Sequence, residues 1–568
     1  MNTRRRGKVL PPDQAVESLI VHPAHHVPTS MKTLAVVLLS LSGTTYCPSQ
    51  VHRDSGDELG SVNFPVSCSP ATQARFNNAV VLLHHMTYPQ ARRAFQRITA
   101  TDTGCAMAYW GIAMTLFQPV WPTRPGPADL QRGWEAVSRA KSLNPPTDRE
   151  RLLIAATEAF FRDPASSDYW RRIHGWYDGM AKAFEAFPDD QEISAFYALA
   201  LIATVPPDQI SSPNNARAAD ILLDILKQNP RHPGAMHYLI HANDVPGRER
   251  ESLEVLREYA GIAPHNPHAL HMPTHIYTRL GDWQNVIGGN IQAADAALEF
   301  PAGDHGQYVW DEFPHAIEYL IYAYLQEAAD DKAAAQLKRL LGTARLEPSF
   351  KTAFHISSTR ARYALERRAW KEAASLVPGE PQTIDWGRYP WPEAITWFAR
   401  GLGSVHIGQS DEAGKSLRRL QELEAAASAS GEVLFTRNIR VLRLALAAWS
   451  ADLEGKRDTS VALMTQAAEL EASTPKHAVT PAPTLPAYEL LGDLLMKQGN
   501  APSAVKAYRR SLDSYPRRFN SLLGGARASL GAGDREEAAA FCRQILEVAS
   551  PESGRDGLDE ARRFLAEH

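Results

Sequence analysis

The helical pattern of this 568-residue chain is clearest in residues 487–516, which read AYELLGDLLMKQGNAPSAVKAYRRSLDSYP. Apolar residues recur every three or four positions on both sides of Gly499, as on the buried face of an amphipathic helix. A glycine after the first periodic run favours a turn there, and Pro516 closes the second run. The stretch predicts two helices that touch at the small residue Gly492, with the aromatic Tyr508 opposite.

The same pattern returns one period later and again near the other end of the chain. Equivalent residues lie 34 positions apart: Ala526 after Gly492, Ala538 after Ala504 and Cys542 after Tyr508. Tyr88, Ala91 and Phe95 match the second helix of such a unit, and residues 106–116, with Trp110 followed by glycine, open the next. These motifs resemble the tetratricopeptide repeat (TPR).

The resemblance covers most of the chain after residue 70 and implies an all-α fold. Each helix pair has an apolar face that it cannot bury alone, so neighbouring pairs stack into a right-handed α-solenoid of TPR-like helix-turn-helix repeats. We expect an N-terminal solenoid with loop insertions over residues 65–400 and C-terminal repeats over residues 401–568. The usual role of such arrays is to bind a peptide or protein partner.

Composition and charge exclude several classes of protein. With 44% apolar and 22% charged residues, the chain is not a disordered, collagen-like or disulfide-scaffold protein. Its net charge, 60 − 64 = −4, argues against a nucleic-acid partner or a polybasic membrane surface. No apolar run reaches the roughly 18 residues that a membrane span needs.

The N-terminus carries the pattern of a secretory signal peptide, beginning at Met31. A lysine follows, then residues 34–41 are apolar except for Ser40, and small residues come next. We expect a signal peptide over residues 31–47 and a periplasmic or secreted protein. Residues 1–30 are then an over-extended or disordered start. The alternative for the apolar stretch is a buried strand.

Export changes how the cysteines are interpreted. Cys68 and Cys105 flank the first helical unit, and an oxidising compartment would allow them to form a disulfide. Two free buried thiols are the alternative. Cys542 lies on the apolar face of a helix and is predicted to be inert packing.

Histidines concentrate in one part of the chain. Seven of the 20 fall in the 44 residues from 232 to 275, where a uniform spread would place about 1.5. The 34-residue period that aligns Pro233 with Pro267 also aligns His237 with His271 and His241 with His275. Each i, i+4 pair shares one face of a helix.

The TPR resemblance implies that these positions of the first helix line the concave groove, so all four imidazoles would point inward. Helix axes in such arrays lie roughly 8–10 Å apart, which lets two pairs approach one ion. Imidazole suits copper, zinc, iron or nickel far better than magnesium or calcium, and we expect copper or zinc first, then iron. Neither pair has the internal glutamate of an H-E-x-x-H peptidase, which excludes that class. Pro273 is a difficulty, because a proline between His271 and His275 interrupts the helix.

Further residues extend this strip of predicted ligands. If the third unit begins at Pro314, Glu318 lies beneath His271 and Tyr322 beneath His275, and these two are candidates for catalytic roles. Glu318 is also a candidate ligand. The remaining candidates for the metal or the groove wall are His268, His315, His355 and His84.

The segment 301–313 interrupts the repeat pattern before the third unit. Insertions between repeats often form loops that carry function. We predict a lid over the groove, in which His305, Trp310 or Asp311 completes the site. The alternative is a surface loop whose Trp310 caps the apolar core.

Two classes of function follow. The first is an exported solenoid with a His-rich transition-metal site in its groove. In its catalytic form this is a metal-dependent enzyme that acts on an organic or peptide substrate by redox or Lewis-acid chemistry. The alternative is a non-catalytic scaffold whose groove binds a peptide or protein partner. A metal carrier without turnover is a third hypothesis.

Overall fold

The computed structural model describes residues 59–121, 124–166, 168–206 and 208–567. The predicted signal peptide at 31–47 and residues 1–30 lie outside the described residues. Among the described residues, α-helices dominate, and no helix is long and apolar enough to cross a bilayer.

The helices follow one another with short connections. In chain order they are α1 (Gln73–His84), α2 (Tyr88–Thr101), α3 (Ala106–Phe117), α4 (Pro127–Ser142), α5 (Asp148–Phe161), α6 (Tyr169–Ala186), α7 (Gln191–Ala203), α8 (Pro213–Gln228), α9 (Pro233–Asn243), α10 (Leu253–Ile262), α11 (Pro267–His271), α12 (Pro273–Leu280), α13 (Trp283–Leu298), α14 (Glu312–Gln326), α15 (Asp330–Gly342), α16 (Phe350–Glu366), α17 (Trp370–Ala374), α18 (Pro390–His406), α19 (Ser410–Ala429), α20 (Val433–Leu453), α21 (Arg457–Ala472), α22 (Ala487–Lys497), α23 (Ala501–Ser514), α24 (Phe519–Gly531), α25 (Arg535–Val548) and α26 (Asp556–Ala566). Short 3-10 helices cover Pro70–Thr72, Glu249–Ser252 and Trp386–Arg388, and the strands β1 (Pro301–Ala302) and β2 (Tyr308–Val309) form an antiparallel hairpin.

The helix pairs predicted from the sequence are present. α22 and α23 form the pair of the 487–516 stretch, and α24 and α25 form its repeat. The ring of Tyr508 lies between two glycines: a Cβ on Gly492 would fall 2.7 Å from the ring, and one on Gly524 would fall 2.3 Å from it. The predicted contact between a small residue and an aromatic ring therefore holds the stack together, and the all-α solenoid of TPR-like repeats is confirmed.

Late repeats also pack against the middle of the chain. One apolar core contains Ile317 and Leu320 from α14 together with Phe519 from α24 and Ile545 from α25. Trp283 donates its indole N–H to the carbonyl of Arg517 at 3.2 Å. Residues of the predicted 65–400 and 401–568 ranges thus share one core; the boundary at residue 400 stays a prediction.

The predicted disulfide is confirmed, since Cys68 and Cys105 are bonded. The bond ties the segment before α1 to the start of α3. Cys542 is a free, buried thiol in α25, within the core that α24, α25 and α14 share. Its predicted role as packing is confirmed.

Replacing Gly524 by alanine should destabilise the repeat stack, because the added methyl group overlaps the buried Tyr508 ring. Overpacking of this kind lowers the free energy of unfolding by about 1–3 kcal/mol. The matched control is Gly414→Ala in α19, where the nearest atom to the new Cβ is 3.7 Å away; there the better helix propensity of alanine should add about 0.5–1 kcal/mol. Denaturant unfolding of both variants checks this, and equal shifts would contradict the proposed contact.

Candidate metal centre

The predicted histidine pairs lie on equivalent helices of neighbouring repeats. His237 and His241 belong to α9, which His232 caps by accepting from the N–H of Ala235 at 3.0 Å. Asn266, 34 residues later, caps α11 in the same way. The first helix of each repeat therefore starts at the same point, which places the histidines at matching depths.

Pro273 interrupts the backbone hydrogen bonds of the helix, but the chain keeps a helical conformation there. Met272, between α11 and α12, keeps helical dihedral angles of −54° and −41°. As a result His271 and His275 still share one face, with their Nε2 atoms 2.9 Å apart. Pro273 therefore interrupts the helical hydrogen bonds without separating His271 from His275.

The four imidazoles do not converge on one point; they divide between two groups. His237 and His241 join His268 of the next repeat, and we call these three residues triad A. His271 and His275 join His315 of α14, and these three form triad B. Within each triad the candidate ligand atoms all lie within 4.8 Å of one another. Three nitrogens that bind one ion at 2.0–2.1 Å are about 3.4 Å apart, so small ring rotations suffice.

The register of the third repeat differs from the prediction. α14 begins at Glu312, not at Pro314, and this places His315 beside His271, with ring centroids 4.2 Å apart. Glu312 takes the position beside His268 that the sequence assigned to His315. The predicted alignment was wrong because the hairpin insertion breaks the 34-residue period.

In triad A, hydrogen bonds at Nδ1 leave Nε2 free. His237 Nδ1 lies 2.7 Å from the carbonyl oxygen of His84, and His268 Nδ1 lies 3.0 Å from a carboxylate oxygen of Glu312. Both partners are acceptors, so each Nδ1 carries the proton and each Nε2 carries a lone pair. The Nε2 atoms of His237, His241 and His268 are buried and have no hydrogen-bond partner among the residues that the structure describes.

Triad B repeats this arrangement. His271 Nδ1 donates to Asn290 Oδ1 at 2.6 Å, and His275 Nδ1 donates to Asp244 Oδ2 at 3.1 Å. The amide of Asn290 is oriented by its own bond to the carbonyl of Val286, so its oxygen faces the imidazole. The Nε2 atoms of His271 and His275 therefore face each other 2.9 Å apart, at the distance of a shared proton.

His315 is oriented by a chain of side chains. His355 donates from Nδ1 to Glu318 at 2.5 Å, which leaves its Nε2 to accept from His315 Nδ1 at 3.0 Å. Glu318 is held in turn by Ser358 and Arg362. Acceptors behind metal-binding imidazoles fix the ring and raise its basicity, as here.

Burial favours the neutral form of several triad imidazoles. Burial lowers the pKa of His237, His271 and His315 well below the ordinary value, and it lowers the pKa of His241 to about 3. The carboxylates behind them are charged. Burial alone would raise the pKa of Glu312, but Lys351 and His268 hold it well below the ordinary value. Neutral imidazoles and ionised acceptors are the states that a metal site needs.

Two candidates for catalytic roles lie elsewhere than predicted. Glu318 contacts His355 and does not lie beneath His271. Tyr322 packs against Trp283 at a centroid distance of 5.4 Å and does not lie beneath His275. Tyr319, which the sequence analysis did not single out, occupies that place: its ring contacts all three rings of triad B. An alignment with the correct start of α14 would have placed Tyr319 beneath His275.

The insertion 301–313 forms the β1–β2 hairpin and not a lid on the triads. His305 is exposed at its turn, whereas the triad histidines are buried, apart from the half-buried His241. Trp310 is buried in an apolar core, as the alternative interpretation predicted. Asp311 accepts from the hydroxyl of Ser349 at 2.7 Å and faces Lys351 at 3.3 Å.

A further group of potential ligands consists of His84, Glu192 and His232. Here His84 is satisfied on both sides, by the hydroxyl of Tyr238 at 3.0 Å and by Glu192 at 2.8 Å. These contacts indicate a structural network that also presents the His84 carbonyl to His237. The remaining group includes both cysteines of the disulfide and is explained by that bond.

Residues 473–486 connect α21 to α22 and lie over the triads, although they come far later in the sequence. Lys476 lies 3.3 Å from Asp244, which orients His275. Arg362, beside Glu318, donates to the carbonyls of Ala482 and Pro483. The histidines are therefore enclosed, where an open groove was predicted.

A cavity of about 410 Å³, which we call the His241 cavity, leads to triad A. Within the described part of the chain, His241 is the one triad histidine on its wall. Trp121 also lines it, and the Trp121 ring lies 5.4 Å from the ring of His268. Triad A is thus adjacent to the cavity, and triad B lies behind it.

Comparison with known proteins shows no match to a protein-family profile and no match to a curated protein. Among solved structures, the human IFIT1 dimer with m7Gppp-AAAA is 12% identical, with 82% of this chain and 95% of that chain covered and a TM-score of 0.38. The APC/C hetero-tetramer Cut9-Hcn1 is 14% identical, with 87% and 90% covered and a TM-score of 0.31.

Such remote likenesses carry no argument about the site. The helix pairs themselves define the class: an all-α solenoid of TPR-like repeats that encloses two neighbouring groups of three histidines.

Proposed function

We propose that this protein holds two transition-metal ions, one in triad A and one in triad B, and that it is a metal-dependent redox enzyme. Copper is the first choice and iron the third; zinc, the second, would supply Lewis-acid chemistry in place of redox chemistry. The competing function is a non-catalytic scaffold that binds a peptide or protein.

The observation that carries the proposal is the pair of Nε2 atoms of His271 and His275, 2.9 Å apart, with their Nδ1 protons directed to Asn290 and Asp244. Among the described residues, the Nε2 atoms of His237, His241 and His268 in triad A have no partner at all, and a buried polar atom without a partner costs about 1–3 kcal/mol. A bound cation in each triad would satisfy all of them at once.

The donor set favours copper. Each triad offers three imidazoles, and the nearby carboxylates face the Nδ1 atoms of His268 and His275. Imidazole sites bind Cu²⁺ most tightly among the divalent first-row metals. Ring centroids of the two triads approach to 6.4 Å, between His268 and His271 and between His241 and His275. Two neighbouring ions that each exchange one electron suit two-electron redox chemistry.

We also infer that the protein acts outside the cytoplasm. The Cys68–Cys105 disulfide supports this, because such bonds persist in oxidising compartments, and the signal-like sequence at 31–47 agrees with it. Fractionation of the native host should place the protein in the periplasm or medium, with an N-terminus after residue 41. A cytoplasmic protein that retains residues 1–30 would contradict export.

Metal analysis tests the two-ion proposal directly. Protein purified without a His-tag and loaded with copper should contain close to two ions per chain, and His237→Ala and His271→Ala should each retain about one. The visible absorption band of copper separates it from zinc. The matched control is His406→Ala, since His406 has a buried Nε2 without a partner but stacks on Trp370 at 3.8 Å, outside both triads.

The control should still contain two ions. Absence of metal from the wild-type protein after loading would favour the scaffold. Loss of metal in the His406 variant would show that the effect of the triad variants is unspecific.

Removing the acceptor behind one ligand should weaken one ion only. Asn290→Leu keeps the side-chain volume but leaves His271 Nδ1 without its acceptor. Loss of such a partner typically reduces metal affinity by 10–100-fold. Competition with a chelator should therefore show one weakened ion and one unchanged ion per chain. Equal weakening of both ions, or of neither, would contradict the assignment of Asn290 to triad B.

A further inference from the structure

The His241 cavity has the size and lining of a site for a small organic molecule. Its volume of about 410 Å³ lies within the usual range for ligand pockets. Charged residues such as Glu432 and Arg279 line part of it, and six aromatic side chains from distant parts of the chain line another part: Trp121, Tyr169, Trp170, Tyr322, Phe435 and Tyr515. Such walls favour a planar ring, which stacks on them or meets their edges.

A polar group lies at the end of the cavity beside triad A. Lys476 lines the cavity, and among the described residues its ammonium has one acceptor, Asp244 at 3.3 Å. An ammonium has three N–H donors, so two remain for oxygen atoms of a ligand. His241 borders the same space. A ring with oxygen substituents would therefore meet N–H donors on one side and the triad A ion on the other.

We propose that the His241 cavity binds a small aromatic diol with adjacent hydroxyl groups, as the substrate of the two-ion site. This inference rests on the proposed redox function and names its substrate class. The aromatic walls hold the ring, Lys476 donates to a hydroxyl oxygen, and the ring oxygens point to triad A.

The diol matches the electron count of the site. Oxidation to the ortho-quinone breaks two O–H bonds and releases two electrons and two protons, one electron for each ion. Dioxygen is the oxidant: one O₂ accepts four electrons and four protons and leaves as two waters, so two diols are oxidised per O₂. Triad B, enclosed behind the cavity, takes part through its ion and does not contact the substrate.

Binding is tested first on the metal-free full-length protein, titrated anaerobically with 4-methylcatechol and followed by calorimetry. Phe435→Leu should weaken binding by about threefold to tenfold, and Lys476→Met by tenfold or more. The matched control is Phe184→Leu, another half-buried aromatic, which stacks on Tyr197 at 4.7 Å and does not line the cavity. Its affinity should equal that of the wild type.

Turnover is tested second, on copper-loaded protein whose metal content has been measured. Consumption of one O₂ per two quinones formed supports the inference. Two stoichiometric ions with no diol binding to either the loaded or the metal-free protein would overturn it while the metal proposal stands. Diol binding to a chain that takes up no metal would support the binding site and overturn the redox function. Equal weakening by all three variants would also overturn the cavity assignment.

Discussion

Buried imidazole lone pairs that face one another are the constraint on which the centre of this molecule depends. Five of the six triad histidines direct Nδ1 to a carbonyl, carboxylate, amide oxygen or second imidazole, as at His237, His268 and His271. Among the described residues, the Nε2 atoms of triad A are left without a partner. Histidines held in this way leave acceptors without donors. The proposed cation in each triad would resolve this conflict.

The repeat architecture supplies the geometry of this centre. Stacking places equivalent positions of neighbouring repeats next to each other. The histidine pair on α9 therefore faces the pair on α11 and α12. Each pair takes its third member from the first helix of the next repeat: His268 of α11 for triad A and His315 of α14 for triad B. In TPR-like solenoids these positions usually face a partner, whereas here their side chains face one another. Burial by later repeats completes the enclosure.

The supporting residues connect the centre to the rest of the fold. Glu312 bridges His268 and the buried Lys351, and Asp244 bridges His275, Arg279 and Lys476. Charges in this interior are therefore paired, which offsets the cost of their burial. Asp244 also lines the His241 cavity, where the aromatic residues come from five separate parts of the chain.

The sequence by itself determined the helical class, the 34-residue period and the equivalence of His237 and His241 to His271 and His275. These features depend on local periodicity and on stacking between neighbouring repeats. Tertiary structure decided the rest. The insertion before α14 broke the period, so only the tertiary structure places His315 in triad B, Tyr319 against its rings and Glu318 behind His355. The cover over the triads joins Lys476 to Asp244, 232 residues apart, a contact that no local pattern encodes since it arises from the packing of late repeats on early ones.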